Sequence, residues 1–204
     1  MWTGWLDSSD GMRYLADDGH MVTGWYKISG AYHYFFDDGI MQIGWIELSD
    51  GWYYLGNDGV AATGWQAVNG TWYLFSDTGL MLTGWQKVDD TWYFLDDNGI
   101  MRTGWYKDAA GTWYWLSDSG AMQIGWQKIG DIRHYFYGSG AMATGGGYIN
   151  GAWHWFTLSG RMATGWIEMN DTTYYLSAGA AMVTGYQTID GTTHYFASNG
   201  SLIW

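Results

Sequence analysis

Tryptophan stands directly behind glycine at Trp5, Trp25, Trp45, Trp65, Trp85, Trp105, Trp126 and Trp166, at steps of 20 residues with a single step of 21 after Trp105. Taking that tryptophan as position zero, a second ring recurs at +7, as in Tyr32, Trp72, Trp92 and, after the extra residue, Trp113. A third recurs at +9, as in Tyr54, Phe94, Trp115 and Tyr135. Methionine occupies +16 in most copies, including Met41, Met81, Met101 and Met122. Flat electron-rich rings meeting at angles can box in a quaternary ammonium by cation–π attraction, and methionine can complete a wall without asking for a hydrogen bond. The plainer reading is that the rings only pack one copy of the repeat on the next.

Other groups could do other chemistry, and their positions argue against it. The neighbouring carboxylates Asp17-Asp18, Asp37-Asp38 and Asp96-Asp97 fall in the turn slot of the repeat, where Asp holds the backbone. Adjacent residues also point apart, which does not suit an acid/base pair. The loops are too short for an EF-hand. His33, His134, His154 and His194 each replace a tyrosine at +8 in separate copies, so they read as structural and not as metal ligands. No catalytic residue, metal or cofactor is expected.

The elements that must hold these rings follow from the turns. Asn69-Gly70, Asn150-Gly151, Asp190-Gly191 and Ser29-Gly30 lie at +4 and +5 between alternating runs, the strongest short-range signal of a β-hairpin. A two-residue turn there pairs zero with +9, +1 with +8, +2 with +7 and +3 with +6. Zero, +7 and +9 then share one side of the hairpin, and +3, +8 and +10 the other. Aliphatic residues at +3 and Leu or Phe at +10 mark the second side as core. Gly146 and Tyr186 fill the zero slot in two degenerate copies, which makes ten copies in 204 residues. A single hairpin is marginal, so the copies must stack. The expected fold is all-β, a solenoid of ten hairpins in one domain, 1–204.

Charge and composition narrow the partners. A formal net charge of −12 with only 8 Lys+Arg excludes a nucleic-acid binder, which needs a basic stripe. With 20% aromatic residues and 14% charged ones, the chain does not read as disordered. No apolar run is long enough to cross a membrane. There is no cysteine, so the redox compartment stays unread.

The pattern T-G-W-x4-G-x-W-Y-Y-L-x-D-x-G-x-M, seen in residues 63–81 and 83–101, resembles the choline-binding (cell-wall-binding) repeats of Gram-positive bacteria and their phages. The resemblance spans essentially the whole chain. It implies a left-handed β-solenoid that holds choline between consecutive hairpins. It also implies a module at the bacterial surface, or phage-encoded and acting at the wall, that binds phosphocholine on teichoic and lipoteichoic acids. The implied site takes zero and +7 of one copy, +9 of the following copy, and the +16 methionine. On that template four sets are complete: Trp25, Tyr32, Tyr54 and Met41; Trp65, Trp72, Phe94 and Met81; Trp85, Trp92, Trp115 and Met101; Trp105, Trp113, Tyr135 and Met122. The other junctions depart from it through Met12, Leu74 with Ala61, Arg133, Gly146 and Thr173. A glucan-binding module and a ligand-free solenoid remain as alternatives. The closing residues 201–204 suggest a cap or a pairing of two copies.

Overall fold

The computed structural model describes residues 2–204. Those residues form twenty strands, from β1 (Gly4–Ser8) to β20 (Thr192–Phe196), and no helix. Each strand pairs only with its sequence neighbour, in ten two-stranded antiparallel hairpins. The chain forms two compact units, residues 1–102 and 103–204, each of five hairpins.

The turn chemistry sets the register. Asn69 and Gly70 both adopt positive φ, at 51° and 81°, which matches the right-handed twist of the flanking strands. The pairing is the expected one throughout, for example Trp65 with Leu74, Ala67 with Trp72 and Val68 with Thr71. Where Ser9-Asp10 and Ser49-Asp50 stand in the turn, the positive φ passes to Gly11 and Gly51, and the register is kept.

Within each unit the two sides of a hairpin are not separate surfaces. The side carrying zero, +7 and +9 lies against the +8 and +10 side of the following hairpin, so each interface uses both. The +10 residues form its dry centre: Phe35, Leu55, Phe75 and Leu95 in the first unit, and Leu116, Phe136, Phe156, Leu176 and Phe196 in the second, are at most 2% exposed. Each such side chain contributes ~1.5–3 kcal/mol by leaving water. Trp204 stacks on Tyr195 and meets Tyr186 edge-on at the end of the second unit, with ring centroids 6.3 and 5.9 Å away, and Tyr186 stays exposed. The closing residues thus fold back on their own hairpin, where Ile203 and Trp204 exchange backbone hydrogen bonds with Tyr195.

A short tail after each hairpin fastens neighbouring hairpins together. Its +16 residue bridges to +10 of its own hairpin, as Met81 does to Phe75. The same residue donates its backbone N–H to the +7 carbonyl of the preceding hairpin: Met81 to Trp52 at 2.8 Å, Met101 to Trp72 at 2.9 Å, Met182 to Trp153 at 2.8 Å. Its side chain lies beneath the +14 glycine of the following hairpin. The thioether of Met81 occupies the place a Cβ on Gly99 would take, and Met41 does the same for Gly59. Where Ala61 replaces the methionine, a Cβ on Gly79 would meet nothing closer than 3.4 Å. At these junctions methionine and glycine are a matched pair; in the ninth hairpin Ala180 takes the +14 slot, also at positive φ (63°).

Gly79 and Gly99 share positive φ, 87° and 75°, so alanine strains both by ~1–3 kcal/mol. Gly99→Ala also displaces Met81 and is expected to lower the denaturation midpoint clearly more than Gly79→Ala. Equal losses in urea unfolding would contradict the pairing.

Candidate functional site

Trp45 shows how a hairpin interface becomes a site. Its indole is held edge-on between Tyr54 of its own hairpin (5.1 Å, 61°) and Tyr73 of the next (4.8 Å, 66°), with Phe75 behind at 5.8 Å. Register sets Trp52 two residues from Tyr54 on the same side, at 6.3 Å and 76° from Trp45. The Met81 N–H bond to the Trp52 carbonyl brings the thioether to the same place. Trp45, Trp52, Tyr73 and Met81 wall a cavity of about 200 Å³, with Asp97 and Asn98 at its rim from the hairpin after. Three rings at steep angles, one of them 41% exposed, present π faces to a space the size of a small organic cation.

The Trp105 junction repeats this in the second unit. Trp113 stands at 5.9 Å and 87° from Trp105, and His134 of the next hairpin at 5.0 Å and 71°. Met142 completes the wall, and the cavity, of about 450 Å³, carries Ser159 and Arg161 at its rim. Among the described residues no ion pair engages Arg161. These outer rings already take cations: the Lys107 ammonium lies 5.4 Å from the Trp113 centroid, and Lys27 lies 5.1 Å from Tyr32.

The same four slots identify the remaining junctions within the units. Trp65, Trp72, Tyr93 and Met101 repeat the Trp45 set, with Trp65 and Tyr93 at 4.9 Å and 66°. Trp25, Tyr32 and Tyr53 have Ala61 in place of methionine, with Trp25 and Tyr53 at 4.9 Å. Substitutions at +7 leave Met12 beside Trp5, Arg133 beside Trp126 and Thr173 beside Trp166. Gly146 supplies no ring at all.

The structure places several expected residues elsewhere. Tyr54, Phe94, Trp115 and Tyr135 at +9 all turn to the tryptophan of their own hairpin: Tyr54 packs on Trp45, Phe94 on Trp85 (5.2 Å), Trp115 on Trp105 (5.1 Å) and Tyr135 on Trp126 (5.1 Å). The ring from the next hairpin comes from +8. The methionine is shifted too: Met41 bonds to Met12, Met81 serves Trp45 and Trp52, and Met101 serves Trp65 and Trp72. Met122 packs on Gly140 in the second unit, and the Trp105 site takes Met142. Trp85 and Trp92 stand at 6.5 Å and 86° in the first unit. The Trp45 junction, set aside for Leu74 and Ala61, is one of the complete ones. A sequence signal for +8 existed: it is Tyr or His in every hairpin except the first, which has Arg13.

The carboxylates and histidines behave as structure. Asp38 accepts the Ile40 N–H at 3.0 Å, and Asp96 accepts those of Asn98 and Ile100, both at 3.0 Å. The Tyr53 hydroxyl donates to Asp50 at 2.7 Å; burial, with that carboxylate beside it, pushes its pKa up to about 12. His33, His134 and His154 pack against Trp5, Trp105 and Trp126. Burial lowers the pKa of all three, so each presents a neutral ring.

Residues 22–63, 62–96 and 82–124 match the choline-binding repeat, and residues 124–142 and 184–202 match the putative cell wall binding repeat. Among solved structures, CbpJ from Streptococcus pneumoniae TIGR4 is 30% identical, with a TM-score of 0.83, covering 98% of this chain and 87% of that one. Choline binding protein F from Streptococcus pneumoniae is 28% identical at a TM-score of 0.66, covering 98% and 92%. The choline-binding domain of CbpL from the same organism is 28% identical at 0.66, covering 90% and 98%. No curated protein sequence matches the chain.

Because the three histidines are held neutral below their ordinary pKa of 6.5, their contribution to stability is complete above that pH and is lost as pH falls through the depressed values. The thermal midpoint is expected to hold steady from pH 8 to 7 and to fall below about 6.5. His134→Tyr with His154→Tyr should flatten that fall. A midpoint independent of pH between 7 and 5 in the parent chain would contradict the assignment.

Proposed function

The chain belongs to the choline-binding repeat family, and on that premise we propose that residues 1–204 attach to a bacterial cell wall by taking choline head groups into the boxes between hairpins. The reading is of a binding module without catalysis of its own, at the cell surface, for choline carried on teichoic and lipoteichoic acids. The observation that supports it most is the box of Trp45, Trp52, Tyr73 and Met81, which offers three ring faces to a cation and has only a carboxylate, that of Asp97, as a charged group in its lining. The Trp65 and Trp105 boxes belong to the same proposal, with Trp25, Tyr32 and Tyr53 as a weaker member that lacks the methionine.

Ring contacts of ~0.5–2 kcal/mol each, less the cost of ordering the ligand, support an affinity near millimolar per site. A polymer carrying many choline groups meets several boxes at once, and linked sites can gain roughly 10²–10⁴ in avidity. Weak single sites and firm attachment are compatible on that basis.

The rims distinguish the boxes. Asp97 beside the Trp45 box favours a bare cation, whereas Arg161 beside the Trp105 box favours a ligand whose cationic head carries an anionic group.

Two titrations test the proposal. By calorimetry, Trp52→Ala, at a half-exposed ring, is expected to remove one choline site and leave the others unchanged. Absence of choline heat in the parent chain, or heat from glucose oligomers instead, would overturn it. Arg161→Gln should weaken phosphocholine at the Trp105 box by roughly fivefold, about 1 kcal/mol for an exposed charge contact, without weakening choline.

A further inference from the structure

We propose that the hairpin junction at Gly146 is a separate site for a neutral, planar aromatic molecule of indole size. Elsewhere in the second unit the zero indole fills a defined slot: Trp126 packs on Tyr135 of its own hairpin and on His154 and Phe156 of the next, and Trp166 packs likewise on Tyr175, His194 and Phe196. At Gly146 the equivalent neighbours are Trp155, Tyr174 and Leu176. These three, with Gly146 itself, line a cavity of about 230 Å³. The space borders the place of the missing side chain, which Trp155 partly takes up.

The backbone does not ask for glycine there. Gly145 needs φ of 68°, as its counterparts do, but Gly146 is not in the left-handed region. The residue is distinctive for leaving the slot open, with the Trp155 indole leaning in to within 3.2 Å of where a Cβ would stand. Trp153, half exposed, stands beside the opening.

The lining sets the ligand class. No carboxylate, lysine or arginine borders this cavity, unlike the Trp45 and Trp105 boxes. His154, the one ionisable base in its wall, is buried and held neutral. An apolar protein cavity of about 150 Å³ stays dry and takes up benzene, so this larger one suits a two-ring guest. Trp155 and Tyr174 offer the aromatic contacts that the absent tryptophan would have made. A guest in this slot restores the packing of the repeat, whereas a trimethylammonium leaves part of the slot unfilled.

The inference does not rest on choline binding. Indole is the probe, titrated into the full chain in saturating choline, by calorimetry and by fluorine NMR with 5-fluoroindole. One saturable site is expected, weakened at least tenfold in Gly146→Trp, which returns the repeat residue to its slot. Leu176→Phe, the other residue used at +10, narrows the cavity from the opposite wall and should weaken indole as well; it serves if the first variant fails to fold. No saturation up to the solubility limit of indole, or undiminished binding in a folded variant, would overturn the proposal. Loss of choline binding with indole binding intact would instead count against the proposed function alone.

Discussion

A hairpin of two five-residue strands has too little surface to hold a core, and the zero tryptophan answers that constraint. Its ring is set edge-on against the +9 side chain of its own hairpin and +8 of the next, and tilted over +10 of the next, so one indole belongs to two hairpins. The buried Leu or Phe at +10 closes the centre of each contact, and the +16 tail bonds back to the hairpin before. Remove the shared ring, as at Gly146, and a cavity appears beside its place.

Binding capacity is a by-product of the same packing. An indole wedged edge-on leaves part of one face uncovered, and the +7 ring beside it is only partly covered, so Trp52, Trp72, Trp92 and Trp113 stay 37–47% exposed. The tail that fastens the stack delivers methionine to the same opening. The abundance of tryptophan is thereby explained: the rings sit half in the interface and half out of it. Small changes then alter a site without disturbing the fold. Ala61 removes one wall, Arg133 puts a cation where a ring would be, and Asp97 or Arg161 changes the charge at the mouth.

Much of this was legible in the sequence. Asn-Gly and Asp-Gly at a fixed offset reported the turns, the turns set the register, and the register set which side each ring would take. What the sequence did not carry was which sides of neighbouring hairpins meet. Treating +3, +8 and +10 as a core apart from zero, +7 and +9 hid the fact that they are opposite walls of one interface. That is why Tyr54 was expected beside Trp25, where the structure places Tyr53. The methionine was displaced by one hairpin for a related reason: its partner is set by a tail bond reaching back 29 residues, as from Met81 to Trp52. No local pattern encodes that bond. The tyrosine-or-histidine rule at +8 held the clue, because an ordinary core position would accept aliphatic residues too.

The central claim is that rings from two consecutive hairpins and a tail methionine surround a trimethylammonium group. A crystal structure determined in saturating choline tests it directly. The account predicts the nitrogen within about 6 Å of the ring centroids of Trp45, Trp52 and Tyr73, beside Met81, with matching density in the Trp65 box. Choline seated against Tyr54 and Phe94 instead, or boxes closed by protein side chains at full ligand concentration, would contradict it.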